Sequence, residues 1–266
     1  MKLVHRELAQ VDEHTSIEAF VDIAKDIDGT ADQAGFIASL GKIDKASDVL
    51  DLWCGSGALS FAISKLAGSV TATDYSEKLI DKAKAMFLGV EFRKSDPVMI
   101  ACPDAMFDVV VSNSSIHHYQ QPTENIREAY RVLKPGGRMV VTMPIQAHRV
   151  GLTLALEAVE RHMAGASAAF SGGPLLYVDD PAPVEELMLR AGFARCTGGV
   201  YGSFSIVSTM AGLVDLVVDK SGNGAAPSDL RTVIYADAAE MAQAYYCREK
   251  QHYIFPLKII AVSGQK

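Results

Sequence analysis

Apolar and polar positions follow two different periods along this chain, and the change between them predicts its elements. Short runs of β-branched and other apolar residues are typical of buried strands, and they occur at 49–52, 70–74, 90–93, 107–112 and 138–143. Between these runs apolar residues recur every three to four positions, which predicts helices over 58–66, 77–87 and 123–133, the last ended by Pro135-Gly-Gly137. Strands that alternate with helices indicate a mostly parallel, doubly wound α/β sheet.

The pattern changes after Pro144. Apolar stripes with helical spacing lie at 152–163 and 207–217, and we also expect helices at 183–191 and 237–249, strands at 193–206 and 255–262, and an exposed loop at 221–228. Helical spacing precedes the first strand at about 17–24 and 31–40. We therefore predict one domain over residues 1–266, with its core at about 42–145, 175–206 and 250–266, N-terminal helices within 1–41, and helical cap insertions at about 146–174 and 207–249.

Composition narrows the class of protein. The 266 residues are 49% hydrophobic, which is enough for a sizeable core, and the net charge of -7 argues against a nucleic-acid partner. The four cysteines are scattered without a CxxC pair, so we expect reduced thiols and no metal site. No apolar run approaches the roughly 18 residues that cross a bilayer, and the first residues lack a signal core. We expect a cytoplasmic protein without a membrane partner.

One stretch carries most of the chemistry, Val49-Leu-Asp-Leu-Trp-Cys-Gly-Ser-Gly57. A strand that enters a helix through glycines makes a tight corner where backbone N–H groups approach a ligand closely. Asp51 stands near the end of this strand, and Asp74 stands at the end of the next strand, where a carboxylate can accept both hydroxyls of a ribose. The pattern favours a nucleotide-like cofactor, and Asp74 alone does not separate one nucleotide cofactor from another.

Five motifs together resemble those of class I S-adenosylmethionine (SAM)-dependent methyltransferases of the small-molecule type, similar to the ubiquinone/menaquinone-biosynthesis and malonyl-acyl-carrier-protein methyltransferases. They are residues 49–57, Thr-Ala-Thr-Asp-Tyr-Ser (71–76), Ser-Asp-Pro (95–97), Phe-Asp-Val-Val-Val-Ser-Asn-Ser-Ser-Ile-His-His (107–118) and Arg-Val-Leu-Lys-Pro-Gly-Gly-Arg (131–138). The resemblance implies a Rossmann-like, seven-stranded sheet with an antiparallel last strand. It also implies SAM as the cofactor, bound outside the carboxyl ends of the strands, where we expect all five motifs to begin.

The same resemblance implies roles for individual residues. Asp51 would interact with the methionyl ammonium of SAM, Asp74 with the ribose, and Asp96 with the adenine amino group. Ser112 and Asn113 would line the methionyl end, and Trp53 occupies a position where the family usually has glycine. The complete set expected to contact the cofactor is Asp51, Trp53, Gly55, Gly57, Asp74, Tyr75, Ser95, Asp96, Pro97, Ser112 and Asn113.

Candidates for catalysis and acceptor binding are fewer. Imidazole titrates near neutral pH, so His117 or His118 is a candidate general base, with packing or lining of the cofactor pocket as the preferred alternative. Tyr119 and Arg149 are candidates to contact the acceptor. A basic group formed by Arg127, Arg131, Lys134 and Arg138 is interpreted as a solvated face near a helix end, with an acidic carrier protein as the alternative partner.

The predicted function is methyl transfer from SAM to a small-molecule acceptor, which releases S-adenosylhomocysteine. A malonyl-acyl-carrier-protein-type carboxyl O-methyltransferase, with a carrier-bound acyl group as partner, is the first alternative, because residues 204–213 loosely resemble that family. An NAD-dependent dehydrogenase would explain the first glycines and Asp74 but predicts a third glycine, which is absent after Gly57. A non-catalytic SAM-binding protein is the third alternative, and either a monomer or a homodimer fits the sequence.

Overall fold

A mostly parallel sheet organises the residues that the computed structural model describes, which are 30–96, 98–116, 122–145, 150–165, 179–220, 226–249 and 251–266. Its strand order is β3-β2-β1-β4-β5-β8-β6, with β7 beside β8, and β8 alone runs antiparallel to both neighbours, β5 and β6. This arrangement confirms the predicted seven-stranded sheet and adds the two-residue β7. The strands are β1 (Asp48–Leu52), β2 (Ser69–Asp74), β3 (Glu91–Lys94), β4 (Phe107–Asn113), β5 (Leu133–Pro144), β6 (Ala194–Ser208), β7 (Tyr246–Cys247) and β8 (His252–Gln265).

The helices of the described residues cover both faces of the sheet or stand beside it. They are α1 (Thr30–Gly41), α2 (Ala58–Ser64), α3 (Glu77–Met86), α4 (Pro122–Val132), α5 (Val150–His162), α6 (Ala182–Arg190), α7 (Met210–Lys220) and α8 (Ser228–Met241). None of these helices combines the length and the apolarity that crossing a bilayer requires.

Alternation along the central strands determines which helix packs on which face. Val49 of β1 and Val109 and Val111 of β4 form one buried cluster with residues of α1 and α2. Leu50 of β1 and Val110 of β4 point to the opposite face, where they pack with residues of α4 and α6. Asp51 and Val111 are register partners across β1 and β4, so Asp51 lies on the face covered by α1 and α2. The strand pleat therefore directs this carboxylate toward those helices.

A second buried cluster lies beside the sheet. Residues of α5, α7 and α8 pack against one another, and Phe255 of β8 belongs to the same cluster. Gly151 permits this approach, because a Cβ there would lie 2.7 Å from the Phe255 ring. These helices occupy the stretches predicted as cap insertions, and their role as a cap stays a prediction.

Three predicted boundaries of helices or strands were wrong, two in the later half of the chain and one at the junction of α4 and β5. The helix expected at 237–249 is α8, Ser228–Met241, which begins directly after Pro227 and is followed by a 3-10 turn at Gln243–Tyr245. The stripe at 207–217 begins as strand, since β6 extends to Ser208 and α7 starts at Met210. Helix α4 ends at Val132, and Pro135-Gly-Gly137 lies inside β5, where the register with β4 shifts.

Candidate active site

Asp51 is the most deeply buried of the candidate side chains, with 1% of its surface exposed. The hydroxyl of Ser60, on α2, donates to its Oδ2 at 2.6 Å. Burial raises the pKa of Asp51 to about 7; the Ser60 hydrogen bond opposes that rise, and the nearby Asp74 charge adds to it. Among the described residues the side chains that act on this carboxylate are therefore a hydroxyl and another acid, and neither supplies a positive charge. A buried carboxylate in such surroundings complements a cationic ligand group.

Asp74 holds the glycine-rich turn in place. Its Oδ2 accepts the N–H of Gly55 at 3.0 Å, and its Oδ1 accepts the N–H of Ser76 at 2.9 Å. Only 3% of the residue is exposed, and this burial raises its pKa although the backbone hydrogen bonds from Ser76, Gly55 and Tyr75 lower it. A carboxylate can accept about four hydrogen bonds, so Asp74 can still accept from a ligand hydroxyl while it fixes the turn.

Two positions of the turn adopt left-handed backbone conformations for different reasons. Trp53 has φ 60°, and its ring lies 5.0 Å from the ring of Tyr75 while also packing on the core. Gly57 has φ 81°, and a Cβ there would lie 2.7 Å from the ring of Phe92. Glycine at position 57 is thus required by packing against β3, whereas Trp53 carries a side chain in a conformation that costs about 1 kcal/mol.

Asp96 lies just past β3 in an exposed turn. Its Oδ1 accepts the N–H of Val98 at 2.9 Å, and the neighbouring Ser95 hydroxyl accepts the N–H of Ala101 at 3.2 Å. Arg131 of α4 anchors the segment that follows, because its guanidinium donates to the carbonyls of Ile100 and Cys102 at 2.9 Å each. The acidic group expected at the third strand end is therefore held by an ordered turn.

Ser112 and Asn113 end β4 beside the glycine-rich turn. Ser112 is fully buried, and its hydroxyl lies 2.7 Å from the hydroxyl of Ser115. The side-chain oxygen of Asn113 accepts two hydrogen bonds, one from Nε2 of Gln33 on α1 at 2.9 Å and one from the hydroxyl of Thr142 on β5. The structure thus brings Asp51, Asp74, Ser112 and Asn113 to neighbouring strand ends at one edge of the sheet.

Five of the residues predicted from the sequence lie outside the described residues. They are Pro97, His117, His118, Tyr119 and Arg149. Their proposed contacts with cofactor or acceptor stay predictions.

The fifth motif lies at the opposite edge of the sheet, which corrects the expectation that all five begin at carboxyl ends. Residues 131–138 join the end of α4 to the amino end of β5. Three members of the basic group form ion pairs at the surface: Arg127 with Glu124, Arg131 with Glu128 and Asp104, and Lys134 with Asp48 and Asp108. The interpretation of this group as a solvated face stays a prediction. A cavity of about 520 Å³ on this amino-terminal edge, lined in part by Asp48 and Phe107, includes none of the candidate site residues.

Sequence reasoning missed three residues that contact the candidate side chains. Ser60, Gln33 and Thr142 each hydrogen-bond to Asp51 or Asn113 from another element. Thr142 could have been found from the sequence, because it is a single polar residue in the otherwise apolar run Met139–Met143. No sequence pattern indicates Gln33, because only the packing of α1 against the sheet brings it to Asn113.

Comparison with known families agrees with this geometry. The family profile described as a methyltransferase domain matches residues 50–141, a range that contains Asp51, Asp74, Asp96 and Asn113. Residues 50–141 of this chain are therefore similar to a methyltransferase domain. Outside that domain, the match gives no information on α1 or on the helices of the second cluster.

Individual proteins that are similar to part of this chain are also named as methyltransferases. Demethylmenaquinone methyltransferase of Clavibacter sepedonicus is 33% identical over 118 residues, which are 42% of this chain and 48% of that protein. Ubiquinone biosynthesis O-methyltransferase of Coxiella burnetii is 32% identical over 99 residues, 36% of this chain and 42% of that protein. The chain thus spans about half the length, or less, of these curated relatives.

A solved structure extends the likeness of fold beyond the methyltransferase domain. Haemonchus contortus phosphoethanolamine N-methyltransferase 2, in complex with phosphomonomethylethanolamine and S-adenosylhomocysteine, shares the fold with a TM-score of 0.60. The likeness covers 96% of this chain and 59% of that one at 16% identity, so it supports the fold alone.

Proposed function

We propose that this protein transfers a methyl group from SAM to a small-molecule acceptor and releases S-adenosylhomocysteine. The observation that carries the proposal is Asp51, a buried carboxylate that has no cation beside it among the described residues and lies next to a turn that Asp74 holds. Such a carboxylate fits the ammonium group of the amino-acid part of SAM. A dinucleotide has no ammonium group to offer at this position, so Asp51 favours SAM over NAD.

The residues present fit the remaining parts of the cofactor. Asp74 would accept from the ribose through the acceptor capacity that its backbone hydrogen bonds leave. Asp96 would accept from the adenine amino group, with Val98 holding its other oxygen. Tyr75, half-exposed beside Trp53, offers an apolar surface at the same edge. When bound, SAM supplies a methyl group on a positively charged sulfur.

The contribution of the chain is to hold acceptor and cofactor aligned in a site from which water is excluded. Methyl transfer is an in-line displacement, so its rate depends on alignment to within a few tenths of an ångström. The side chains that would set this alignment are themselves fixed, Asp51 by Ser60 and Asn113 by Gln33 and Thr142. These hydrogen bonds link the end of β1 to α2 and the end of β4 to α1 and β5, so the site is rigid on the side of α1 and α2.

The acceptor we propose is a small molecule, and the names of the relatives direct the choice of candidates. Two of them are named for menaquinone and ubiquinone biosynthesis, which favours phenolic quinone precursors as the first compounds to assay. A carrier-protein-bound acyl group belongs in the same panel as the alternative from the sequence. The proposal places the reaction in the cytoplasm, in a monomer or a homodimer.

Isothermal titration with SAM and with S-adenosylhomocysteine tests the first half of the proposal. The wild type should bind both, Asp74→Asn should bind at least about tenfold more weakly, and Asp81→Asn should bind as the wild type does. Asp81 is the matched control because it is an exposed acid on α3. Failure of the wild type to bind either compound would refute the proposal, and binding of NADH instead would support a dehydrogenase.

Turnover needs its own measurement, because a fold alone does not establish chemistry. Formation of S-adenosylhomocysteine is followed by mass spectrometry across phenols, amines and an acyl-carrier thioester. Methylation of any of these acceptors supports the proposal. Tight binding of SAM without turnover across the whole panel would support the non-catalytic alternative.

A further inference from the structure

Asn113 lies close to Asp51, the residue proposed for the ammonium group of SAM, at the same edge of the sheet. It follows Ser112, which is the register partner of Leu52, so Asn113 lies two positions further along the sheet edge than Asp51. Strand spacing and rise put the two Cα atoms about 8 Å apart. Alternation puts Asn113 on the same face as Val111 and Asp51, under α1 and α2. A group bound between these two side chains would touch both.

The hydrogen bonds of Asn113 fix which end of its amide is available. Its Oδ1 accepts from Gln33 and from Thr142, which uses both lone pairs of that oxygen. Nδ2, which carries two N–H donors, donates to no partner among the described residues. Turning the Asn113 amide over would require the Gln33 amide to turn as well and the Thr142 hydroxyl to accept instead of donate. The side chain therefore presents donors only.

We propose that Nδ2 of Asn113 is the donor site for the carboxylate of the amino-acid part of SAM, and that Gln33 and Thr142 are positioning residues that keep it so. The inference rests on the proposed function and adds to it a partner for the carboxylate. Asp51 and Asn113 then form a complementary pair, an acceptor for the ammonium and a neutral donor for the carboxylate. A neutral amide suits this place, because a third acid near Asp51 and Asp74 would repel a carboxylate. The N-terminal helix α1 thereby becomes part of the cofactor site.

Two ligands that differ only in the carboxylate test the proposal, namely S-adenosylhomocysteine and its decarboxylated analogue. Asn113→Asp replaces both donors by an acceptor at constant size. Binding of S-adenosylhomocysteine should weaken by about tenfold or more, whereas binding of the decarboxylated analogue should stay unchanged or tighten. Asp51→Asn is the comparison, since it should weaken both ligands, which share the ammonium. Equal losses for both ligands in Asn113→Asp would show a merely structural role and overturn the inference.

The positioning residues have a matched pair of variants. Thr142→Val removes the hydroxyl from a buried side chain of the same shape, and Thr142→Ser keeps it. We expect Thr142→Val to weaken S-adenosylhomocysteine about threefold without affecting the decarboxylated analogue, and Thr142→Ser to bind as the wild type does. Gln33→Met should repeat the effect of Thr142→Val.

The possible failures are distinguishable. A wild type that binds neither ligand refutes the proposed function together with this inference. A wild type that binds both ligands equally well overturns the inference alone. Thermal unfolding shows whether Asn113→Asp folds. If it does not, the test is the ratio of the affinities for S-adenosylhomocysteine and its decarboxylated analogue, compared between Thr142→Val and Thr142→Ser.

Discussion

Replacing Asp51 by asparagine separates what this side chain costs the fold from what it contributes to ligand binding. Asparagine has the same size and can keep the hydrogen bond to Ser60, but it carries no charge. In the ligand-free protein the Asp51 carboxylate must ionise in a buried place beside Asp74. We therefore expect Asp51→Asn to unfold at higher denaturant concentration than the wild type near pH 8, although it binds SAM far more weakly.

The size of this effect follows from the pKa of Asp51 in the two states. An unfolded aspartate titrates near a pKa of about 3.9, and burial raises the pKa of Asp51 to about 7 in the folded protein. Between these values the folded state binds more protons, so the free energy of unfolding falls as pH rises and levels off above the folded pKa. The full loss is about 4 kcal/mol, of which about 2 kcal/mol falls between pH 5.5 and pH 8. Asp51→Asn lacks this loss.

Urea denaturation of the ligand-free wild type and Asp51→Asn at both pH values measures the difference. Subtracting the two proteins removes the pH dependence of all other groups that the substitution leaves undisturbed. The stability advantage of Asp51→Asn should grow by about 2 kcal/mol from pH 5.5 to pH 8, while Asp81→Asn should show no such growth. An advantage that is the same at both pH values would refute the assignment of a raised pKa to Asp51.

Three further predictions concern the same edge of the sheet. If an ammonium group pairs with Asp51, binding of S-adenosylhomocysteine near pH 6 should release close to one proton from the Asp51 carboxyl group. Calorimetric titration in buffers of different ionisation enthalpy measures this release, and its absence would contradict the pairing. In thermal unfolding, Gly57→Ala should destabilise the protein by about 2–4 kcal/mol. Gly89 has a similar φ but open space around it, so Gly89→Ala should cost only about 1 kcal/mol. Equal losses for the two variants would contradict the packing argument with Phe92. Because Trp53 is the single tryptophan, its fluorescence should change when S-adenosylhomocysteine binds, and a silent titration at confirmed saturation would place the ligand elsewhere.

The parts of the fold that could be predicted are those whose cause is local. The run from Val49 to Gly57 contains its own strand, corner and helix start, so the place of Asp51 follows from neighbours in sequence. The third acid behaves similarly, since Asp96 is held by the N–H of Val98, two residues on. Helix α8 could not be placed as well, because its apolar positions continue without a break into the 3-10 turn at Gln243–Tyr245.

The parts that could not be predicted depend on contacts between distant elements. Lys134 looks like a solvated cation in the sequence, and only the sheet brings Asp48 and Asp108 to it. Gln33 and Asn113 are likewise joined by packing of α1 across the sheet. Local pattern thus locates the acids of the site, whereas the groups that orient the site arrive from elsewhere in the chain.

The position of β8 between β5 and the edge strand β6 has a consequence for how this protein is made. Strand β5 pairs along Arg138–Pro144 with β8, which follows it far along the chain and is therefore synthesised much later. Until then the apolar edge of β5 is open, and an unpaired strand edge is a template for aggregation. Nascent chains that contain β5 but not β8 should therefore need chaperone protection, and fragments that stop before β8 should be insoluble.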